Sequence, residues 1–375
     1  MSLKNFISIQ IFNSFISGIL IILLPLLMQD RGIDIITIGL VYASLPIIFQ
    51  LTRMLFGVLS DFIGRKVFFV SNGFLKFLTL VIYYFAYTPY HFLFGKITEG
   101  IKSASNWAVN RAYAMETSKD KRKALTKLRA INSISSALGR LLAGFLIIYL
   151  FYPNTLLLCI FLSLLIIPNA LKIKEKTKKR RIEVKKILKI FNVKKRKKKF
   201  KRSLIIFLLR GLSYGLITGY VFPLFLESNG FTPEIIGLLL SIQTLFAGIT
   251  TYFLSKRTEV KLSKLILHVG ISYFSILLLL AFSNSILAGI LIILLGLAEG
   301  GVFAVHEGIL SKVSSEDSYA GDIGLIFMGF HSARSVSLML SGFLIASYGF
   351  SAPMILSASI FLVYLILTYQ TFKEK

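Results

Sequence analysis

The sequence has few acidic residues, a single cysteine and a single tryptophan. Its 375 residues include 17 Asp and Glu against 43 Lys and Arg. Cys159 lies in an apolar run, so an intramolecular disulfide is excluded and a cysteine-based metal cage is not expected. Charged residues make up only 16% of the chain, hydrophobic residues make up 55%, and the mean hydropathy is +0.75. A soluble protein of this size needs a more polar surface, so the composition indicates an integral membrane protein.

The apolar residues form runs that are long enough to cross a bilayer. A membrane-spanning helix needs about 20 residues, and the first six spans are predicted at 6–28, 37–60, 67–87, 90–117, 128–150 and 154–171. The second six are predicted at 203–225, 233–254, 265–282, 285–311, 324–347 and 352–371. The first run is interpreted as a retained span, because it has no small-residue cleavage site of a secretory signal. The prediction is an all-α membrane protein with twelve transmembrane helices.

Lys and Arg concentrate in the loops on one side of this topology, most of all in the segment 172–202. Cytoplasmic loops are enriched in basic residues, so both termini and this linker are predicted to be cytoplasmic in a multi-pass protein of the cell membrane. The linker also supplies most of the formal net charge of +26, and we therefore expect no nucleic-acid partner. We interpret it as a solvated orientation signal, with an interfacial helix at 184–191 as the alternative. Its lysines can contact anionic lipid headgroups.

The two halves of the chain resemble each other. One constant shift pairs Gly39 with Gly237 and later Gly144 with Gly342, and a slightly different shift pairs Glu99 with Glu299. Secondary transporters are commonly built from such repeats around a central site. We therefore predict an N-terminal six-helix half at 1–171, the basic linker at 172–202 and a C-terminal six-helix half at 203–375.

The loop after the second span carries a recognisable motif. Residues 57–66 read G-V-L-S-D-F-I-G-R-K, which resembles the cytoplasmic signature G-x-L-[SA]-D-x-x-G-R-[KR] of the major facilitator superfamily. The resemblance implies two halves in the fold of that superfamily, alternating access and a conformational switch at Gly57, Asp61, Gly64, Arg65 and Lys66. Glycines permit a tight turn, while Asp61 and Arg65 can pair with each other or with helix ends, closing one conformation and releasing the other. A static capped turn is the alternative.

Two further family patterns are altered. In the fourth span, Lys96 takes the place of an arginine that often stands four residues before a glycine. The antiporter pattern of the fifth span is poorly kept, since Ser135 replaces its first glycine and Arg140 replaces its proline. This departure weakens an assignment to the drug/proton antiporters.

Charged and polar residues inside the spans are costly in lipid and should face a cavity, a headgroup or each other. The residues predicted to line a substrate cavity are Asn13, Lys96, Lys102, Asn106, Arg140, Arg210 and Arg334. The residues predicted to couple transport to protons are Glu99, Glu299, His306 and Glu307, because a partly buried carboxyl or imidazole can bind and release a proton as access alternates. The alternative for each set is a structural ion pair or hydrogen bond.

The sequence contains two partial matches to enzyme motifs, and neither indicates an enzyme. The G-x-S-x-G match at 211–215 lies in a span, where small residues serve helix packing, and the pattern H-E-x-x-H fails at Leu310. No phosphate-binding loop is present, so we expect a gradient-driven transporter without cofactor or metal, not an enzyme. The predicted function is proton-coupled transport of a small organic anion by a monomer. Proton-driven efflux of hydrophobic or drug-like compounds is the alternative, and a membrane receptor or scaffold that does not transport is a distant third.

Overall fold

The computed structural model describes residues 2–117, 121–174, 196–256, 261–314 and 319–373. These residues form thirteen α-helices. The first six are α1 (Ser2–Asp30), α2 (Ile35–Ile63), α3 (Arg65–Tyr84), α4 (Pro89–Glu116), α5 (Lys121–Leu164) and α6 (Ile166–Leu171). The other seven are α7 (Lys198–Ile217), α8 (Val221–Ser228), α9 (Pro233–Lys256), α10 (Leu262–Ala281), α11 (Ser285–Val313), α12 (Tyr319–Tyr348) and α13 (Ser351–Phe372).

Helix α5 contains two predicted spans joined by a sharp turn. Phe151 has a φ of 60°, which is not helical. The Thr155 hydroxyl donates to the carbonyl of Leu146 at 2.9 Å, whereas nine residues of straight helix would separate the two by about 14 Å. The chain therefore reverses here, and the second arm of α5 continues through α6 as the sixth span.

Length and hydropathy identify ten segments of the described chain that can cross a membrane. One of these segments, Lys127–Leu171, contains both arms of α5. Helix α4 is not among the ten because it carries many charged and polar residues, several of them buried. Counting α4 and the two arms of α5 separately gives the predicted twelve spans, and the all-α membrane fold is confirmed.

Local sequence explains where several helices begin and break. The Asp34 carboxylate caps α2 by accepting hydrogen bonds from the Thr37 hydroxyl at 2.6 Å and from the Thr37 backbone N–H at 3.0 Å, and these bonds lower the pKa of Asp34. Gly64, with a φ of 94°, separates α2 from α3. The seventh span was predicted as one run, yet it is broken into α7 and α8 at Gly219, whose φ of 76° favours glycine.

The helices pack in the same pattern in both halves. In the first half α1 packs on α5, α2 on α4, and α3 on α6; in the second, α7 packs on α12, α9 on α11, and α10 on α13. The halves meet where α2 contacts α12 and where α5 contacts α9. The structure therefore has two pseudo-symmetric six-helix halves. Most of the predicted linker, with the alternative helix at 184–191, lies outside the described residues.

Glycines from the repeat allow the two halves to approach closely. A Cβ added at Gly342 on α12 would lie 2.8 Å from the carbonyl oxygen of Ile35 on α2, and one at Gly144 on α5 would meet the carbonyl of Pro233 on α9. Gly144 and Gly342 are equivalent positions of the repeat, so these two contacts between the halves are equivalent as well. The end of the bundle where α1 begins is called the terminal face, and it lies opposite the contact between Gly342 and Ile35. At this face Phe6 of α1 packs against Phe69 at 5.7 Å and Tyr113 at 5.1 Å.

Candidate functional site

A cavity of about 110 Å³ lies between the two halves. It has room for several water molecules and is smaller than the roughly 300 Å³ of a typical ligand pocket. Helices α1, α2 and α4 line it from one half, and the α7–α8 break and α12 line it from the other. The lining residues are Ser17, Leu20, Ile21, Tyr42, Leu45, Pro46, Lys96, Glu99, Gly219, Arg334 and Leu338.

Among the described residues, Glu99 is the one acid that lines this cavity. Its carboxylate accepts a hydrogen bond from the Tyr83 hydroxyl at 2.8 Å and pairs with the Lys96 ammonium at 3.0 Å. Lys96 and Glu99 are one helical turn apart on α4, which places both side chains on the same face. The Lys96 ammonium also lies 4.1 Å from the centroid of the Tyr42 ring, in a cation–π contact across to α2.

Two more lysines stand behind this pair. Lys76 on α3 is fully buried, donates to the Ser17 hydroxyl at 3.0 Å and lies beside Lys102 of α4. Lys102 is 5% exposed. Three lysines therefore surround one glutamate, which leaves an excess of positive charge next to the cavity.

The second half contributes Arg334 to the cavity. Its guanidinium lies 5.2 Å from the centroid of the Tyr214 ring, and no carboxylate within the described ranges pairs with it. Arg140 on α5 also has no acidic partner there, and it donates to the carbonyl oxygen of Leu240 on α9 at 3.4 Å. Arg140 thus links the two halves and is not among the residues that line the cavity.

The Arg210 and Glu299 side chains form a separate buried ion pair. One guanidinium nitrogen of Arg210 lies 2.6 Å and 2.7 Å from the two carboxylate oxygens of Glu299, and the other donates to the Tyr273 hydroxyl at 3.0 Å. Arg210 is 1% exposed. This cluster joins α7, α10 and α11 inside the second half and does not line the cavity.

The side chains of His306 and Glu307 have different surroundings although the two residues are adjacent in sequence. The His306 imidazole is buried against Phe207 and lies 3.1 Å from the Tyr364 hydroxyl. Glu307 is half exposed and 3.6 Å from Arg129 of α5. The structure brings neither residue to the cavity.

The two amide candidates of the first half, Asn13 and Asn106, each bond to another amide side chain. The Asn13 amide donates to the side-chain oxygen of Asn72 at 2.6 Å, and Asn106 exchanges hydrogen bonds with Gln10 at 3.1 and 3.4 Å. These pairs tie α1 to α3 and α4. Neither Asn13 nor Asn106 is among the residues that line the cavity.

The motif of residues 57–66 connects α2, α3 and α4 at the terminal face. Arg65 donates to the Ser60 hydroxyl and pairs with Glu116, the last residue of α4, at 3.3 Å. The side chain of Asp61 lies outside the described part of the chain. Lys66 is partly buried, and a Cβ added at Gly57 would meet no atom within 4 Å.

Several residues of the site were not predicted from the sequence. Tyr42 and Tyr83 contact the Lys96–Glu99 pair, Tyr273 contacts Arg210, and Glu116 is the acidic partner of Arg65. The chain has 16 tyrosines, so the sequence does not single out these three, and no pattern in it pairs Glu116 with Arg65. The break at Gly219 was not marked either, because a glycine within a helical pattern is tolerated and others, such as Gly39 and Gly100, lie in continuous helices. Among the described residues no three His, Cys, Asp or Glu side chains are arranged to hold a metal ion.

Comparison with known proteins places this geometry in a family. The model of the Major Facilitator Superfamily matches residues 6–232 and 203–374. The chain is similar to the nucleoside transporter NupG, with 16% identity and a TM-score of 0.79 over 100% of both chains, and to a mutant of NupG, with 15% identity and a TM-score of 0.82 over 99% of both. The human organic anion transporter MFSD10 (TETRAN) has 14% identity and a TM-score of 0.68 over 98% of each chain. None of the curated protein sequences compared with the chain matches it.

Proposed function

Because the chain belongs to the major facilitator superfamily, and is thus a multi-pass membrane transporter and not an enzyme, we propose that it moves a small organic anion, together with a proton, through the cavity between its halves. Access to the cavity alternates between the two ends of the bundle. The observation that carries this proposal is the charge of the cavity, whose described lining includes Lys96 and Arg334 but only one acid, Glu99.

The cations define the substrate class. Arg334 has no carboxylate partner in the described residues, so a substrate anion would supply the charge that balances it. A guanidinium binds carboxylate and phosphate groups through paired hydrogen bonds. One of the similar structures is named as an organic anion transporter, which agrees with this class. The other is named as a nucleoside transporter, a class of compound that the charges of this cavity favour less.

Proton coupling follows from competition for Lys96. An anion that binds the Lys96 ammonium displaces Glu99 from its nearest cation, and a carboxylate that loses part of its cationic stabilisation in a poorly solvated cavity takes up a proton more readily. One anion would then travel with one proton in the same direction. We place Glu99 first among the coupling candidates because it lines the cavity, and Glu299 second because Arg210 holds it in the second half.

The remaining features are assigned by the same reasoning. The motif around Arg65 and Glu116 acts as the switch at the terminal face, which we take to be cytoplasmic because the basic residues concentrate there. The basic segment 172–202 contacts anionic lipid headgroups, and the protein works as a monomer.

The test uses purified protein in liposomes that contain a pH-sensitive dye. We expect a pool of organic anions to start a proton flux that Glu99→Gln abolishes. Asp30→Asn is the matched control, because Asp30 is exposed at the end of α1 and outside the cavity, and it should keep the flux. A response to lipophilic cations alone would instead establish efflux of drug-like compounds, the alternative favoured by the 13% aromatic content. Absence of flux with both pools would contradict the proposal.

A further inference from the structure

Several buried polar atoms of α2 and α12, on the terminal-face side of the cavity, have no hydrogen-bond partner in the described structure. Both Nε2 and Oε1 of Gln50, one terminal nitrogen of Arg53 and Nδ1 of His331 are in this position. Gln50 is 3% exposed and Arg53 is 8% exposed. Buried polar groups are nearly always hydrogen-bonded, so a cluster of unsatisfied ones requires an explanation.

Aromatic rings surround this cluster and join the two halves. The guanidinium carbon of Arg53 lies 3.5 Å from the centroid of the Trp107 ring. The Phe49 ring lies edge-on to Trp107 at 6.3 Å and to His331 at 5.0 Å. Because Phe49 belongs to α2, Trp107 to α4 and His331 to α12, the cluster opens when the halves separate at the terminal face.

The cluster lies on the path between the cavity and the terminal face. Arg53 follows the cavity residue Pro46 by two helical turns, about 10 Å along α2. Trp107 follows the cavity residue Lys96 by about three helical turns of α4, roughly 16 Å in the same direction. Each therefore continues the cavity-facing side of its helix toward the terminal face.

The cluster is positively charged. Arg53 and Arg111 both lie over the Trp107 ring, at 3.5 and 4.8 Å. Neither forms an ion pair with a carboxylate in the part of the chain that the structure describes. With Arg334, three helical positions beyond His331, they form a line of cations that leads into the cavity.

We propose that Gln50, Arg53, Trp107 and His331 form a second binding site, the Trp107 site, for a planar organic anion that carries adjacent N–H and C=O groups. The guanidinium of Arg53, which lies over the Trp107 ring, binds the negative charge, and the planar part of the anion packs against the edge of the indole. Gln50 needs both a donor and an acceptor from its ligand, which an amide-like edge provides. The inference rests on the proposed function, because the ligand is the transported anion on its way between the terminal face and the cavity.

Trp107 is the only tryptophan in the chain, so intrinsic fluorescence reports directly on this site. The probes are orotate, which is planar and anionic with N–H and C=O groups, benzoate, which lacks that edge, and uracil, which lacks the charge. We expect orotate to change the Trp107 emission saturably and to bind at least about tenfold more tightly than the other two. Free N-acetyltryptophanamide corrects for light absorbed by the probes.

Variants assign the signal to the site. Arg53→Leu should abolish the response to orotate, and Arg53→Lys should retain a weakened one. Gln50→Leu should remove the preference of orotate over benzoate. Arg31→Gln is the matched control, since Arg31 stacks on Tyr87 at 4.2 Å and should leave the response unchanged. A wild-type protein silent to orotate, or an unchanged response in Arg53→Leu, would overturn the inference.

A third variant separates this site from the cavity and from the proposed function. Lys96→Leu should stop anion-driven proton flux in liposomes while the Trp107 emission still responds to orotate. If the variant loses both the flux and the emission response, the ligand binds in the cavity and the second site is overturned. Anion flux in the wild type without any Trp107 response overturns the second site alone. A Trp107 response without anion flux supports the site and contradicts the proposed function.

Discussion

One guanidinium nitrogen of Arg210 lies within hydrogen-bond distance of both carboxylate oxygens of Glu299, at 2.6 and 2.7 Å. The two residues lie on α7 and α11, so the pair joins two helices of the second half. Its counterpart in the first half, Lys96 with Glu99, is a pair within one helix at the wall of the cavity. The second-half pair therefore holds helices together, whereas the first-half pair can separate without moving a helix.

Removing the acid from the second-half pair should destabilise the protein. Glu299→Gln leaves the Arg210 cation buried without its carboxylate, which typically costs about 3–5 kcal/mol. We expect a clearly lower thermal unfolding temperature in detergent for Glu299→Gln than for Glu307→Gln, whose partner Arg129 is exposed. The double variant Arg210→Met, Glu299→Leu removes both charges and should recover most of the loss. Equal unfolding temperatures for the two single variants would contradict this assignment.

The glycine contacts between the halves should be needed for transport. Gly342→Val places a side chain against the backbone of Ile35 and Ile36, and such overpacking costs about 1–3 kcal/mol in the closed arrangement. We expect the transport rate in liposomes to fall by roughly tenfold or more, with the same result for Gly144→Val. Gly324→Val, on the same helix but with open space around it, serves as the control. A normal rate in both interface variants would show that this contact is not used in the cycle.

The break between α7 and α8 should require glycine. Gly219 has a φ of 76° and lines the cavity, and an added Cβ would lie 3.0 Å from Leu338. Gly219→Ala should reduce anion transport through both strain and steric contact. Gly349→Ala carries a similar backbone strain of about 1–2 kcal/mol, because its φ is 74°, but no atom lies within 4 Å. We expect both variants to lose a similar amount of stability and only Gly219→Ala to lose transport.

The Arg65–Glu116 contact should control the rate of the transport cycle and not the affinity for substrate. Arg65 links the end of α2 to the end of α4 at the terminal face, far from the cavity lining. Glu116→Gln weakens a hydrogen bond to a charged group, an effect of about 1.5–3 kcal/mol or less, so we expect a lower maximal rate with an unchanged half-saturating concentration. The control is Lys264→Gln, which removes an exposed charge on α10 within the second half. A raised half-saturating concentration would place Glu116 in substrate binding instead.

Much of the candidate site followed from the cost of placing charge in a membrane. Lys96, Glu99 and Arg334 were identified because a charged side chain in a span needs a cavity or a partner, and the structure places all three at the cavity. The same rule also selected Arg210 and Glu299, but these two residues form an ion pair with each other away from the cavity. Helical spacing predicts which residues of one helix share a face, but it says nothing about which residue of another helix lies opposite. For this reason Tyr83, Tyr273 and Glu116 were missed.

The sequence by itself determined the membrane class, the twelve spans, the repeat and the family, because length, hydropathy and a loop motif are local properties of the chain. The tertiary structure decided that Lys96 and Arg334 meet at one cavity, that Arg210 and Glu299 pair away from it, and that α7 breaks at Gly219 beside it. These depend on how the two halves pack, and a polar group inside a membrane bundle is satisfied by whichever partner the packing brings within about 3 Å.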